Sequence, residues 1–326
     1  MYKKLLETLK ENIRNGIPVS RREALRLSDA PLEELTAAAD EIRRECAGDG
    51  FDLCTIINGK CGRCSEDCRY CAQSAHYQAD CPDSYPLLDT ERLLEGARTN
   101  EAAGVLRYSI VTSGKRLSER EVNQVCESIR VIRRETSIEI CVSFGLLGEE
   151  AFKKLKAAGA SRVHCNLESS RRYFPSVCTT HTYDEKIETL KAAKRAGMSI
   201  CSGGILGLGE TMEDRIDMIL TARSLGIKSV PMNLLNPIPG TPYENNRPLT
   251  GEEAQRCAAI FRFLIPDASI RLAGGRGLLE DKGRACFQSG ANAAISGNML
   301  TTAGITVETD RKLIKELGYE VRLCHG

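Results

Sequence analysis

The chain has 326 residues, a formal net charge of +1 from 45 basic and 44 acidic residues, no tryptophan and 15 cysteines. The interspersed charges argue against a nucleic-acid-binding surface and for a small-molecule site. No run of about 18 apolar residues is present, so no membrane span is expected. The opening MYKKLLETLKENIRNG lacks the apolar centre of a signal peptide, so the expected location is cytoplasmic.

Residues 1–50 carry apolar positions at three- and four-residue spacing, as in PLEELTAAADEIRREC, and read as an N-terminal helical extension. Residues 51–326 then alternate. Short apolar runs suited to strands lie at 51–58, 107–112, 138–144, 162–168, 199–206, 229–235, 269–273 and 292–296. Helical patterns separate nearly all of them, at 90–104, 118–135, 149–159, 183–197 and 211–226. Gly104, Gly159, Gly197 and Gly226 stand where helices should end. The tail from Thr301 reads as a loop and a closing helix. Such alternation implies parallel strands joined by right-handed crossovers. Eight units fit an α/β fold of the (β/α)8 TIM-barrel type. An open doubly wound sheet is the alternative, but no G-x-G-x-x-G turn follows the first strand.

Cysteines are dense between Cys54 and Cys81. Cytosolic thiols stay reduced, so metal or cluster ligation explains that density better than disulfides. The loop after the first strand holds Cys64-x₃-Cys68-x₂-Cys71. Three thiolates on a [4Fe–4S] cube leave one iron open for substrate. The pairs Cys61-x₂-Cys64 and Cys68-x₂-Cys71 also form a zinc-like arrangement, but small zinc modules have no need of eight βα units. Cys61 and Cys81 fall outside the triplet.

The triplet, with Tyr70 just before its last cysteine, resembles the radical S-adenosylmethionine superfamily. In that superfamily the open iron chelates the amino and carboxylate groups of S-adenosylmethionine. Gly203-Gly204-Ile205-Leu206-Gly207-Leu208-Gly209-Glu210 fits the superfamily's G-x-I-x-G-x-x-E pattern, which lies against adenine. Gly204, Ile205 and Gly207 are therefore expected to contact the cofactor, along with Tyr70. Glycine suits such a place because backbone can approach a flat ring closely.

Ordered blocks extend the resemblance to the biotin synthase family. They include Cys64-Ser-Glu-Asp-Cys-Arg-Tyr-Cys-Ala-Gln-Ser74, His164-Cys-Asn-Leu-Glu168, Cys178-Thr-Thr-His-Thr-Tyr183, Pro231-Met-Asn233 and Arg271-Leu-Ala-Gly-Gly-Arg276. The resemblance implies insertion of sulfur into dethiobiotin to give biotin, with radicals derived from S-adenosylmethionine breaking two unactivated C–H bonds. It also implies a flavodoxin or ferredoxin reductant and a homodimer. Carried over by position, Asn166 and Glu168 contact the cofactor ribose, with Asn166 also near substrate. Asn233 hydrogen-bonds the ureido ring, a task an amide suits because it both donates and accepts. His164 stands at a substrate-side position where the family usually has asparagine.

In the familiar form of the family, three cysteines and an arginine hold an auxiliary [2Fe–2S] cluster that donates the sulfur. Cys141, Cys201 and Arg271 match three of those positions, while Ser109 occupies the remaining cysteine position. Serine is a poor ligand for a soft metal. Barrel layers take side chains from alternate strands. Cys141, Cys201 and Arg271 fall on the third, fifth and seventh strand candidates, so the missing member should come from the first, which carries Cys54. The expected auxiliary ligands are therefore Cys54, Cys141 and Cys201, with Arg271 beside them or as a fourth ligand. The cluster is either [2Fe–2S] or a four-iron cluster carrying an extra sulfide. Hydrogenase-maturation and methylornithine-forming radical enzymes are the competing readings within the superfamily. A non-catalytic zinc or iron–sulfur protein is the competing class.

Overall fold

Five helices of the computed structural model start on the same device, a serine or threonine cap whose partner three residues on is acidic. The pairs are Ser20 with Glu23, Ser118 with Glu121, Thr182 with Glu185, Thr211 with Asp214 and Thr250 with Glu253. Each satisfies two backbone N–H groups that the helix itself leaves without partners. They open α2 (Arg21–Leu27), α5 (Glu119–Glu135), α7 (Tyr183–Arg195), α8 (Met212–Ser224) and α9 (Gly251–Leu264). The other helices are α1 (Tyr2–Arg14), α3 (Leu32–Cys46), α4 (Thr90–Ala102), α6 (Glu149–Ala158), α10 (Arg284–Phe287) and α11 (Val307–Glu316). Gly159 ends α6 at φ +115°, left-handed backbone that glycine adopts without strain.

The structure describes residues 2–79, 81 and 83–324; Gly326, the end of the expected barrel unit, lies outside them. The strands are β1 (Gly50–Lys60), β2 (Arg107–Thr112), β3 (Glu139–Ser143), β4 (Arg162–His164), β5 (Ser199–Cys201), β6 (Gly204–Leu206), β7 (Ser229–Leu234), β8 (Ser269–Leu272), β9 (Ala293–Ser296) and β10 (Glu320–Val321). All pair in parallel, and β9 returns to β1 through Asp52↔Ala293 and Cys54↔Ile295, which closes the ring. The result is a (β/α)8 barrel whose β5 and β6 share one of the eight positions. Alternate residues of the strands point in and out. Leu53, Ile110, Val142, Val163, Val230 and Ile270 are buried outward under the helices, each worth roughly 1.5–3 kcal/mol of burial. Cys54, Ser109, Cys141, Cys201 and Arg271 line the interior. Ahead of the barrel, α1 to α3 form a helical layer, with α3 lying along α9. No helix among the described residues is long and apolar enough to cross a membrane.

Two expectations are corrected in detail. The single strand at 199–206 is split, because Pro231 stands on the neighbouring β7 and has no N–H for the ladder. Pairing stops after Cys201↔Ser229 and resumes at Gly204↔Met232. The tail holds more than a closing helix: β10 pairs with the start of β1 through Gly50↔Glu320 and Phe51↔Val321. Two residues are too few for periodicity to reveal.

Candidate active site

A cavity of about 390 Å³ opens at the C-terminal mouth of the barrel and runs down its axis. That mouth is where barrel enzymes carry their chemistry. The cavity has two cysteine-bearing levels, a rim built by a loop and a floor built by strands.

At the rim, β1 runs into a loop whose ends are pinned together. Cys61 and Tyr85 exchange backbone hydrogen bonds of 3.2 Å. Within the loop, the Cys64 N–H donates to Gln73 O at 2.9 Å and the Ala75 N–H to Cys64 O at 2.8 Å. The Ser74 hydroxyl donates to Glu66 O at 2.6 Å. Cys64, Cys68 and Cys71 thereby all line the cavity. The Gly114 N–H, from the loop after β2, donates to Cys64 Sγ at 3.2 Å. Burial pushes the Cys71 thiol up to about 12. Cys68 is raised through its hydrogen bond to Cys178 and by burial.

Beside the triplet stands Glu168, in the loop that follows β4. Its backbone takes φ +68°, a left-handed conformation that costs a non-glycine residue energy. The turn is held by Glu168 N–H to Gly203 O at 3.1 Å and Ile205 N–H to Glu168 O at 2.9 Å. The Tyr70 hydroxyl donates to Glu168 Oε1 at 2.9 Å, and Lys186 Nζ lies 3.9 Å from the same oxygen. Glu168 Oε2 is buried and makes no hydrogen bond. Such an orphaned acceptor is costly unless a ligand satisfies it.

Asn166 Oδ1 accepts the Gly203 N–H at 3.1 Å. Asn233 donates from Nδ2 to Gly204 O at 3.0 Å and accepts the Gly274 N–H on Oδ1 at 2.9 Å. Both amides therefore brace strand ends, and Asn233 keeps one N–H and one lone pair for a further partner. Packing alone also requires glycine at 204. A Cβ there would lie 2.3 Å from Glu168 O and 2.3 Å from Met218 Sδ, so close backbone packing demands the glycine. Gly207 takes φ +100° and its N–H donates to Glu210 Oε1 at 2.9 Å. Ile205 lines the cavity.

On the floor, β1, β3, β5 and β8 bring Cys54, Cys141, Cys201 and Arg271 to the barrel interior, with 5%, 4%, 5% and 2% exposure. Burial pushes Cys54 up to about 12 despite Arg271. Burial and the neighbouring Cys201 raise Cys141, which also takes a hydrogen bond from Ser109. Burial also opposes ionisation of Cys201, yet the hydrogen bond from His164 and the charges of Arg162 and Arg271 hold it down to about 7. His164 is thus placed against Cys201, its register partner on the neighbouring strand.

Beneath the thiols lies a buried ionic cluster that the sequence reading passed over. Arg271 Nη2 lies 2.9 Å from Asp52 Oδ1, and its Nη1 donates to Asp52 O at 2.8 Å and Ala294 O at 2.9 Å. Arg107 and Arg162 approach Asp52 at 3.6 and 3.8 Å. Three guanidinium groups face one carboxylate. Two Arg107 nitrogens, Nε and Nη2, are buried without a hydrogen bond. This excess of positive charge under three thiols calls for an anionic occupant. The signal was a charged residue inside an apolar strand run, as in Phe51-Asp52-Leu53.

Residues 60–222 match the radical SAM superfamily, and residues 231–320 match the Biotin and Thiamin Synthesis associated domain. The chain is 58% identical to biotin synthase 2 of Corynebacterium diphtheriae over 98% of this chain and 97% of that protein. It is 55% identical to biotin synthase of Brachyspira hyodysenteriae, over 98% and 95%. Among solved structures, methylornithine synthase superposes with a TM-score of 0.83 at 18% identity, covering 97% of each chain. The [FeFe]-hydrogenase maturase of Carboxydothermus hydrogenoformans superposes with a TM-score of 0.81 at 16% identity, covering 99% of this chain and 80% of that one. At those identities the two structures speak for the fold alone.

Proposed function

The chain belongs to the biotin synthase family of radical SAM enzymes, and from that premise we propose that its barrel cavity converts dethiobiotin to biotin. The family implies S-adenosylmethionine and a [4Fe–4S] cluster as cofactors. When bound, these supply a carbon-centred radical able to break unactivated C–H bonds, and a second iron–sulfur cluster supplies the sulfur. Everything else is placement by the protein.

Cys64, Cys68 and Cys71 hold the rim cluster. Glu168, kept in place by Tyr70, would offer its orphaned Oε2 to the cofactor's ribose, and Asn166 would contact it as well. The backbone from Gly204 through Ile205 to Gly207 flanks the adenine. Asn233 would offer its remaining N–H and lone pair to the ureido ring, and His164 lines the same cavity beside Cys201. Cys54, Cys141 and Cys201 hold the sulfur-donor cluster above the arginine-rich floor. That floor is the observation that carries the assignment: three guanidinium groups gathered around one carboxylate suit a cluster bearing three thiolates. Asp52 keeps Arg271 protonated, and a guanidinium has no lone pair to give a metal. This favours a cluster held by three thiolates, with Arg271 as neighbouring counter-charge. A reduced flavodoxin or ferredoxin supplies electrons, the chain works as a homodimer, and its 15 cysteines suit the reducing cytosol.

Anaerobic enzyme incubated with dethiobiotin, S-adenosylmethionine and reductant should release biotin. Cys54→Ala should lose the second cluster by iron and sulfide counts, and with it biotin formation, while still cleaving S-adenosylmethionine. Full iron and sulfide in Cys54→Ala would remove Cys54 from the ligand set. Absence of biotin from fully loaded wild type would remove the reaction.

A further inference from the structure

Cys178 and His181 have no part in the reaction described above. They lie on the segment between the 3₁₀ turn Phe174–Ser176 and α7, packed against the rim loop. Cys68 Sγ, Cys178 Sγ and a ring nitrogen of His181 all lie within 4.8 Å of one another. Cys178 Sγ is 3.3 Å from His181 Nδ1. A tetrahedral zinc ion spaces its sulfur and nitrogen ligands by about 3.5–3.8 Å, so closing on an ion needs movements of about 1 Å.

Two carboxylates complete the surroundings. Glu66 Oε2 lies 2.6 Å from His181 Nδ1 and accepts the Thr180 hydroxyl at 2.8 Å. Asp67 Oδ1 lies 3.1 Å from Cys178 Sγ and accepts the Thr179 and Thr180 N–H groups at 2.8 and 3.1 Å. Cys178, His181 and Glu66 are 2%, 7% and 6% exposed, so the groups are held in place before any ion arrives. Lys186 is a nearby cation and opposes a second positive charge; two thiolates and two carboxylates outweigh it. Two sulfurs and an imidazole select zinc, ferrous iron or cobalt over magnesium and calcium.

We propose that Cys68, Cys178 and His181, with Glu66 as fourth ligand, form a mononuclear site for a thiophilic divalent cation. The site shares Cys68 with the rim triplet. A cluster on the triplet and an ion on this site therefore exclude each other, and the ion is held by chain that lacks the rim cluster. The proposal does not depend on the biotin reaction, since the ligands meet whatever the barrel does.

Cobalt(II) alone is the probe, added anaerobically to the reduced full-length Cys64→Ala/Cys71→Ala chain, which keeps Cys68 but cannot hold the rim cluster. One equivalent should bind with thiolate-to-cobalt charge-transfer and tetrahedral ligand-field bands, and zinc should displace it. Adding Cys178→Ala or His181→Ala should weaken binding by at least about 10–100-fold. Cobalt binding that is unchanged by Cys178→Ala would overturn the proposal, because the ion would then sit on Cys61, Cys81 or the floor thiols. A folded double variant, by circular dichroism, without a thiolate band would also overturn it. If the double variant does not fold, the same titration of the iron-stripped wild-type chain with and without Cys178→Ala decides, on the same two outcomes.

Discussion

The rim and the floor of this barrel hold thiols in opposite ways. At the rim, three cysteines lie within eight residues of one loop, and local backbone hydrogen bonds shape them. On the floor, β1, β3 and β5 each bring one cysteine, and the supporting Asp52 and Arg271 are 219 residues apart in sequence. The rim's cysteines are close in sequence and are then braced from outside by Gly114 and the Thr179–Thr180 segment, whereas the floor exists only once the barrel closes. The difference teaches that the rim's spacing is local while the floor depends on every strand that enters it.

The largest expected effect separates the two levels outright. Cys68→Ala should lose the rim cluster's roughly four irons per chain and all S-adenosylmethionine cleavage, whereas Cys201→Ala should keep that cluster and the cleavage but lose the second cluster's iron and biotin formation. Iron analysis with a cleavage assay reads this, and loss of both clusters in both variants would break the comparison. Next comes the ionic base of the floor. Asp52→Asn leaves three buried guanidinium groups without their carboxylate and should cost about 3–5 kcal/mol in denaturant unfolding.

The same residue gives a pH signature. Burial opposes ionisation of Asp52, but Arg271, Arg107 and Arg162 outweigh it and hold the carboxyl down to about 2. Its folded pKa is depressed, so its contribution is complete above the unfolded value of about 3.9. The contribution is lost as pH falls through about 2, on the order of 2 kcal/mol in all. Unfolding of wild type should show that acid loss, and Asp52→Asn should not. A smaller effect is expected where the levels meet. Gly204→Ala would push a methyl into Glu168 O and Met218 Sδ, costing about 1–3 kcal/mol and weakening S-adenosylmethionine binding in a titration. The smallest effect is expected at Ser109, beside Cys141. Ser109→Cys alone should leave the iron content unchanged if Cys54 completes the ligand ring as proposed. In the Cys54→Ala background it should restore part of the second cluster.

Much of this arrangement was legible in residue order. Strand and helix periods gave the eight-fold alternation, because burial on two faces of a sheet and one face of a helix leaves distinct spacings. That Cys64, Cys68 and Cys71 meet at the cavity was legible because they are close in sequence. Cys54 was reachable through barrel layering, since alternate strands supply one layer. The break between β5 and β6 was missed because it arises from a proline on another strand. Asp52, Arg107 and Arg162 were visible as charges in apolar runs, but their convergence on one another was not. The meeting of Cys178 and His181 with Cys68 was hidden for the same reason, as the partners lie more than a hundred residues apart.

By itself the sequence determined the fold class, the rim triplet and the family, all of which rest on short-range pattern or ordered blocks. Only the tertiary structure decided what surrounds the floor thiols, that Asn233 braces two strand ends, and that one rim cysteine has a second set of neighbours. The physical reason is that such charges and ligands act through a few ångströms of space, and chain order does not report which residues closure of the barrel brings that near.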